Sequence, residues 1–99
     1  MKKYGLAVRA ERDLNQIIAY LIDEAGPATA RKILHEIREG IRLLSAYPGL
    51  GHLRTDITNR PLRFWLVRSY LIIYDPRPRP IEIVRIVHGS RDVGRLLQY

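Results

Sequence analysis

Cysteine is absent from this chain of 99 residues, which excludes disulfide bonds, thiolate catalysis and cysteine-based zinc sites together. Histidine occurs three times, at His35, His52 and His88, a scatter that does not suggest a metal site. Long apolar runs are missing too. The longest stretch without a charged residue is the 11 residues from Leu43 to Leu53, against the ~18–20 that a bilayer crossing needs. The chain opens with two lysines, but Arg9 and Glu11 interrupt any apolar signal core. Acidic residues are few: 10 Asp and Glu face 17 Lys and Arg, for a formal charge of +7. Apolar residues at 46% are enough to build a core. The expectation is one soluble, cytoplasmic, basic domain over residues 1–99.

The cations are mostly arginine, 14 against 3 lysines, and guanidinium is the better fork for carboxylates, phosphates and aromatic faces. They are unevenly spread. Residues 1–49 carry 8 basic and 6 acidic side chains, whereas residues 50–99 carry 9 and 4. Net charges of +2 and +5 point to the second half as the region that attracts an anionic partner.

Tyr4, Leu6 and Val8 alternate with Gly5 and Ala7, the pattern of a short strand. From Glu11 the period becomes helical, with Leu14, Ile17, Ile18, Leu21, Ile22 and Ala25 on one stripe. Glu11 and Asp13 sit where a helix dipole favours acid. Gly26 stops this helix and Pro27 starts a second, whose apolar face is Ala30, Ile33, Leu34, Ile37, Ile41 and Leu44. On its other face Lys32–Glu36 and Glu39–Arg42 are spaced to pair. The one-residue break implies an antiparallel helical hairpin.

Residues 47–61 read as loop, and three strand-like runs follow at Leu62–Arg68, Tyr70–Tyr74 and Ile81–His88. Pro76-Arg-Pro-Arg-Pro80 forces the last turn, and the short connections predict an antiparallel meander. Leu62, Phe64 and Leu66 share one predicted face, Arg63, Trp65 and Val67 the other. A short helix is expected around Asp92–Gln98, capped by Ser90 or Asp92. The order β-α-α-β-β-β predicts an α+β fold: a small antiparallel sheet of about four strands with an α-helical hairpin on one face.

Conventional active-site motifs are missing. No glycine-rich run leads from strand to helix, and Ser45, Ser69 and Ser90 lack the setting of a nucleophile elbow. The remaining cluster lies in the second half: Arg54, Arg60, Arg63, Arg68, Arg85, His88, Arg91 and Arg95, with Trp65, Tyr70, Tyr74 and Tyr99 among them. Arginines interleaved with aromatics suit RNA, since guanidinium holds phosphate and rings stack on bases. Yet Tyr70 and Tyr74 flank an apolar strand and Trp65 lies on a strand face, positions more often filled by packed core or rim side chains. Arg85 stands out, because a charge inside an apolar strand must be paired or reach an edge. His88 reads either as an acid–base group or as a turn residue bonded to backbone.

Ala10-Glu-Arg-Asp-Leu14 with Ile17 and Tyr20, the Pro27/Ala30/Leu34/Ile37 helix, and Tyr47-Pro-Gly-Leu-Gly51 followed by Arg54 form an ordered set of motifs. It continues through Arg63, Tyr70-Leu-Ile-Ile-Tyr74 and Ile86-Val-His-Gly-Ser-Arg-Asp92 with Leu96 and Leu97. Together these resemble the ParE branch of the RelE/ParE toxin superfamily, the toxin halves of bacterial type II toxin–antitoxin and plasmid-stabilisation systems. The resemblance implies a toxin that inhibits DNA gyrase by binding, without catalysis or cofactor. It also implies a cognate ParD-like antitoxin with an acidic tail, assembled with the toxin as a heterotetramer. Direct DNA recognition is not expected of this chain. Candidate target- or antitoxin-binding residues are Arg54, Arg63, Trp65, Arg68, Arg91 and Arg95. The alternative is a ribosome-dependent mRNA endoribonuclease of the RelE kind, using Arg54, Arg63, Arg85 and His88. Against it, His88 is followed by Gly-Ser-Arg-Asp rather than an aromatic-rich ending, and Tyr99 lies 11 positions beyond it.

Overall fold

Gly26 adopts φ 89°, a left-handed value that closes one helix and lets Pro27 open the next without a turn of loop between them. Helix α1 (Val8–Ala25) and helix α2 (Pro27–Ala46) form the hairpin that the sequence predicts. The computed structural model describes residues 4–90 and 92–97. Its strands are β1 (Tyr4–Leu6), β2 (His52–Leu53), β3 (Arg63–Val67), β4 (Tyr70–Asp75) and β5 (Ile81–His88), followed by α3 (Val93–Leu96).

The α+β architecture is as expected, but the sheet has five strands, in the order β1-β5-β4-β3-β2, and it is mixed. Strands β2 to β5 pair antiparallel, whereas β1 lies parallel to β5, with Tyr4 opposite Ile81 and Leu6 opposite Ile83. β2 was hidden in the predicted loop because two residues are too short for a period to show. Helix α1 also begins earlier than Glu11, at Val8, so Asp13 falls in the second turn rather than the first.

The hairpin packs on one face of the sheet. Its core joins Ala10, Ile37, Ile41 and Leu44 to Ile72, Tyr74, Ile81, Ile83 and Ile86, with Trp65 and Val67 packed against it. At Gly40 the hairpin lies close on the sheet: a Cβ there would stand 2.8 Å from Val67 Cγ2. The opposite face is covered as well. Leu62, Phe64, Ile73, Val87, Val93 and Leu97 form a second core under α3 and the loop around Ile57. The two faces of β3 are therefore those predicted.

A β-bulge decides the fate of β5. Arg85 pairs with Ile73 and Ile83 with Tyr74, which leaves Val84 unpaired. The extra residue shifts the alternation, so that Ile83 and Ile86 both face the helices. Arg85 is turned toward the α3 side instead. Beyond Ile83 this strand has no β1 neighbour, and its edge is open to side chains from the helices.

Candidate functional site

Asp13 fills that open edge. Its carboxylate accepts two bonds from the Arg85 guanidinium, at 2.7 and 3.0 Å, and a third from the Ile86 backbone N–H at 3.0 Å. Both side chains are nearly buried, at 12% and 10% exposure. Arg85 also donates to the Leu96 carbonyl at 3.4 Å, so it links α1, β5 and α3. The Asp13 hydrogen bonds raise the Arg85 pKa, against the opposing effect of burial. This arginine is locked into the fold. Sequence reasoning flagged Arg85 but missed its partner, although Asp13 lies three residues from Ala10 and four from Ile17 on the apolar stripe of α1.

Above this pair lies a cleft of about 640 Å³ between the hairpin and the ends of β4 and β5. Ile17, Tyr20, Leu21 and Ile33 form its helical wall, Tyr70 and Ile86 lie on the sheet side, and Arg68, His88 and Ser90 complete the lining. Tyr20 is 61% exposed. Burial pushes the Tyr70 phenol up, with nearby Tyr20 adding to the shift. The Tyr70 ring meets the His88 ring edge-on at 5.6 Å. The Ser90 backbone N–H donates to His88 Nδ1 at 3.1 Å, which places the proton of the neutral ring on Nε2. His88 thus makes the backbone bond of its structural reading, while its ring stays exposed at the cleft.

Arg68 stands at the cleft rim in the two-residue turn between β3 and β4, with φ 54°. Its guanidinium grips Glu36 of α2 at 2.9 and 2.7 Å, a bidentate pair that ties turn to helix. These hydrogen bonds lower the Glu36 pKa and raise that of Arg68. Glu36 therefore pairs across the fold and not with Lys32 as its spacing suggested. The Glu39–Arg42 pair is present as predicted.

Arg63 faces a different task at the other end of β3. It donates to the Gly51 carbonyl at 2.7 Å and to that of Gly49 at 3.4 Å. Tyr74 completes the clamp: its hydroxyl donates to Pro48 O at 2.6 Å and accepts the Gly51 N–H at 2.9 Å. A Cβ on Gly51 would come within 2.6 Å of that hydroxyl oxygen. Glycine is required there by space, and the Tyr47–Gly51 motif is a strap held by Arg63 and Tyr74.

The other candidates are dispersed. Arg54 forks onto Asp56 two residues away. Trp65 is half-buried against the hairpin core and stacks on His52 at 6.3 Å. Arg95 is exposed on α3, where Asp92 caps the helix by accepting the Arg95 N–H at 3.3 Å. Arg91 and Tyr99 lie outside the described residues. Register separates the four residues of the nuclease alternative. His88 aligns with Tyr70 and Arg63 with Tyr74, four residues or about 13 Å apart along the strands and on strands two places apart in the sheet. Arg54 follows β2 on the far edge, and Arg85 is bound to Asp13.

Among the described residues no helix is long and apolar enough to cross a membrane, and no group of His, Cys, Asp and Glu could hold a metal ion. Comparison with known proteins agrees with this architecture. A solved chain described as the chromosomal ParDE TA system from P. aeruginosa superposes with a TM-score of 0.76, at 21% identity over 91% of this chain and 98% of that one. Toxin ParE1 of Caulobacter vibrioides is 29% identical over 90 residues, 91% of this chain and 92% of its own length. Toxin ParE3 of the same organism is 29% identical over 86 residues, 86% and 84% respectively. The family model for the ParE toxin of the type II toxin–antitoxin system, parDE, matches residues 4–93. The chain belongs to the ParE toxin family.

Proposed function

We propose that this toxin acts in the cytoplasm by binding and not by catalysis, with DNA gyrase as its target and a cognate antitoxin as its neutraliser. The observation that carries this reading is the dispersal of Arg54, Arg63, Arg85 and His88. Phosphodiester cleavage needs a base, an acid and charge stabilisation within reach of one phosphate. Here those side chains lie at opposite ends of the sheet or are engaged by Asp13, Asp56 and backbone. The cleft offers a place for the antitoxin: its apolar wall suits side chains of an amphipathic helix or extended segment. Ordering of an acidic tail on binding fits the excess of arginine. A supercoiling assay with purified gyrase is the test. Loss of supercoiling at saturating toxin is expected, and full gyrase activity would refute the target. Codon-phased mRNA cleavage in a translation extract, lost in His88→Ala, would move the assignment to the endoribonuclease.

A further inference from the structure

The arginines of the sheet are largely engaged by carboxylates and carbonyls, which leaves a different surface to carry accessible positive charge. On α2 the exposed residues Arg31, His35, Arg38 and Arg42 recur at intervals of four, three and four. At 3.6 residues per turn they fall within an arc of about 60° and extend about 16 Å along the axis. Exposed Lys32 flanks them. Arg42 pairs with Glu39, but among the described residues Arg31, Lys32 and Arg38 form no ion pair. Helix stability does not explain the arrangement. The last turn of α2, where the dipole favours cations, contains none, and two of these cations lie near the opposite end.

We propose that this face of α2 binds the phosphate backbone of duplex DNA, without reading base sequence. Its chemistry selects that occupant. Protein interfaces centre on aromatic, apolar or arginine anchors seated in desolvated pockets, whereas here Arg31, Arg38 and Arg42 stand exposed in a row with His35, and the arc holds no Trp, Tyr or aliphatic side chain. Single-stranded nucleic acid is held by rings that stack on bases, and α2 has no Phe, Tyr or Trp, only the imidazole of His35. A row of guanidinium forks on a straight, rigid helix matches instead a regular line of phosphates, where charge alone supplies the affinity. The contact modifies the expectation that this chain has no direct dealings with DNA: it concerns backbone and not bases. The stripe is on the solvent side of α2, away from the residues that line the cleft, so it neither requires nor replaces the gyrase and antitoxin reading.

The experiment is fluorescence anisotropy of the full-length protein with a labelled duplex of random sequence, titrated over a range of KCl concentrations. Wild type is expected to bind at low salt, with a negative slope of log K against log[KCl]. Arg31→Ala/Arg38→Ala is expected to weaken binding roughly tenfold and to make the slope less steep by about 2, since each phosphate contact contributes close to one. Arg77→Ala/Arg79→Ala removes the same charge from cations already held within the β4–β5 turn by Asp75 and by the Pro76 and Pro78 carbonyls, and is expected to leave binding near wild type. Circular dichroism confirms that each variant is folded. Three results would overturn the proposal: no duplex binding by wild type at low salt, equal losses in the two double variants, or single-stranded DNA bound more tightly than duplex and with the same dependence on Arg31 and Arg38.

Discussion

The arginines of the sheet half and the cations of α2 carry the same charge but do different work. Arg85, Arg68, Arg63, Arg54 and Arg77 each end on a carboxylate or a carbonyl, and those contacts pin helices, loops and strand edges together. Arg31, Lys32 and Arg38 end in solvent. Formal charge by halves, +5 against +2, points to the sheet half as the anion-attracting region. The pairing pattern points the other way, because two carboxylates of the first half, Asp13 and Glu36, cross the fold to neutralise arginines of the second. Net charge along a sequence measures supply. Accessible charge is what remains after the fold has used some of it.

The sharpest way to break this comparison is at the buried pair. Asp13→Asn or Arg85→Met is expected to destabilise the protein by about 3–5 kcal/mol in urea denaturation, since either leaves its partner charge buried and uncompensated. If Arg31→Ala cost as much, the division between structural and accessible arginines would collapse. Next in size is the strap. Tyr74→Phe abandons the Pro48 carbonyl and the Gly51 N–H together, for an expected loss of about 1–3 kcal/mol by the same measurement. Gly51→Ala is expected to fall in the same range through steric contact with the Tyr74 hydroxyl.

A pH series sharpens the exposed tier. The Glu36 pKa is lowered in the folded state, so its pairing with Arg68 stabilises above the ordinary carboxylate range and is lost as pH falls through the folded value. The Tm gap between wild type and Glu36→Gln should therefore close below about pH 4. The smallest effects are expected at the surface. Arg54→Ala should leave the urea midpoint close to that of wild type, as befits an exposed pair. Arg31→Ala and Arg38→Ala should stay within about 0.5 kcal/mol of wild type.

Much of the fold is legible in local pattern. Ile81–His88 is read to its observed bounds because proline and glycine punctuate both ends. Gly26-Pro27 marks the hairpin because each residue has a conformational preference that needs no context. The parallel pairing of β1 with β5 is not legible, since alternation identifies a strand without naming its neighbour. The candidate site was harder. Arg85 betrayed itself by its apolar surroundings, whereas Asp13 was disguised as an ordinary acid near a helix start. His88 and Trp65 each had two readings that only their contacts separate.

The sequence by itself determined the helical hairpin, the meander, the faces of β3 and the motif order that places the chain among ParE toxins. These depend on periodicity and on the backbone preferences of glycine and proline, which act over a few residues. Tertiary structure alone decided which arginines hold the fold and which face solvent. An ion pair such as Asp13–Arg85 joins residues 72 positions apart. Its formation depends on a strand edge left open where β1 ends and on a bulge that redirects one side chain. Neither exists until the sheet has assembled.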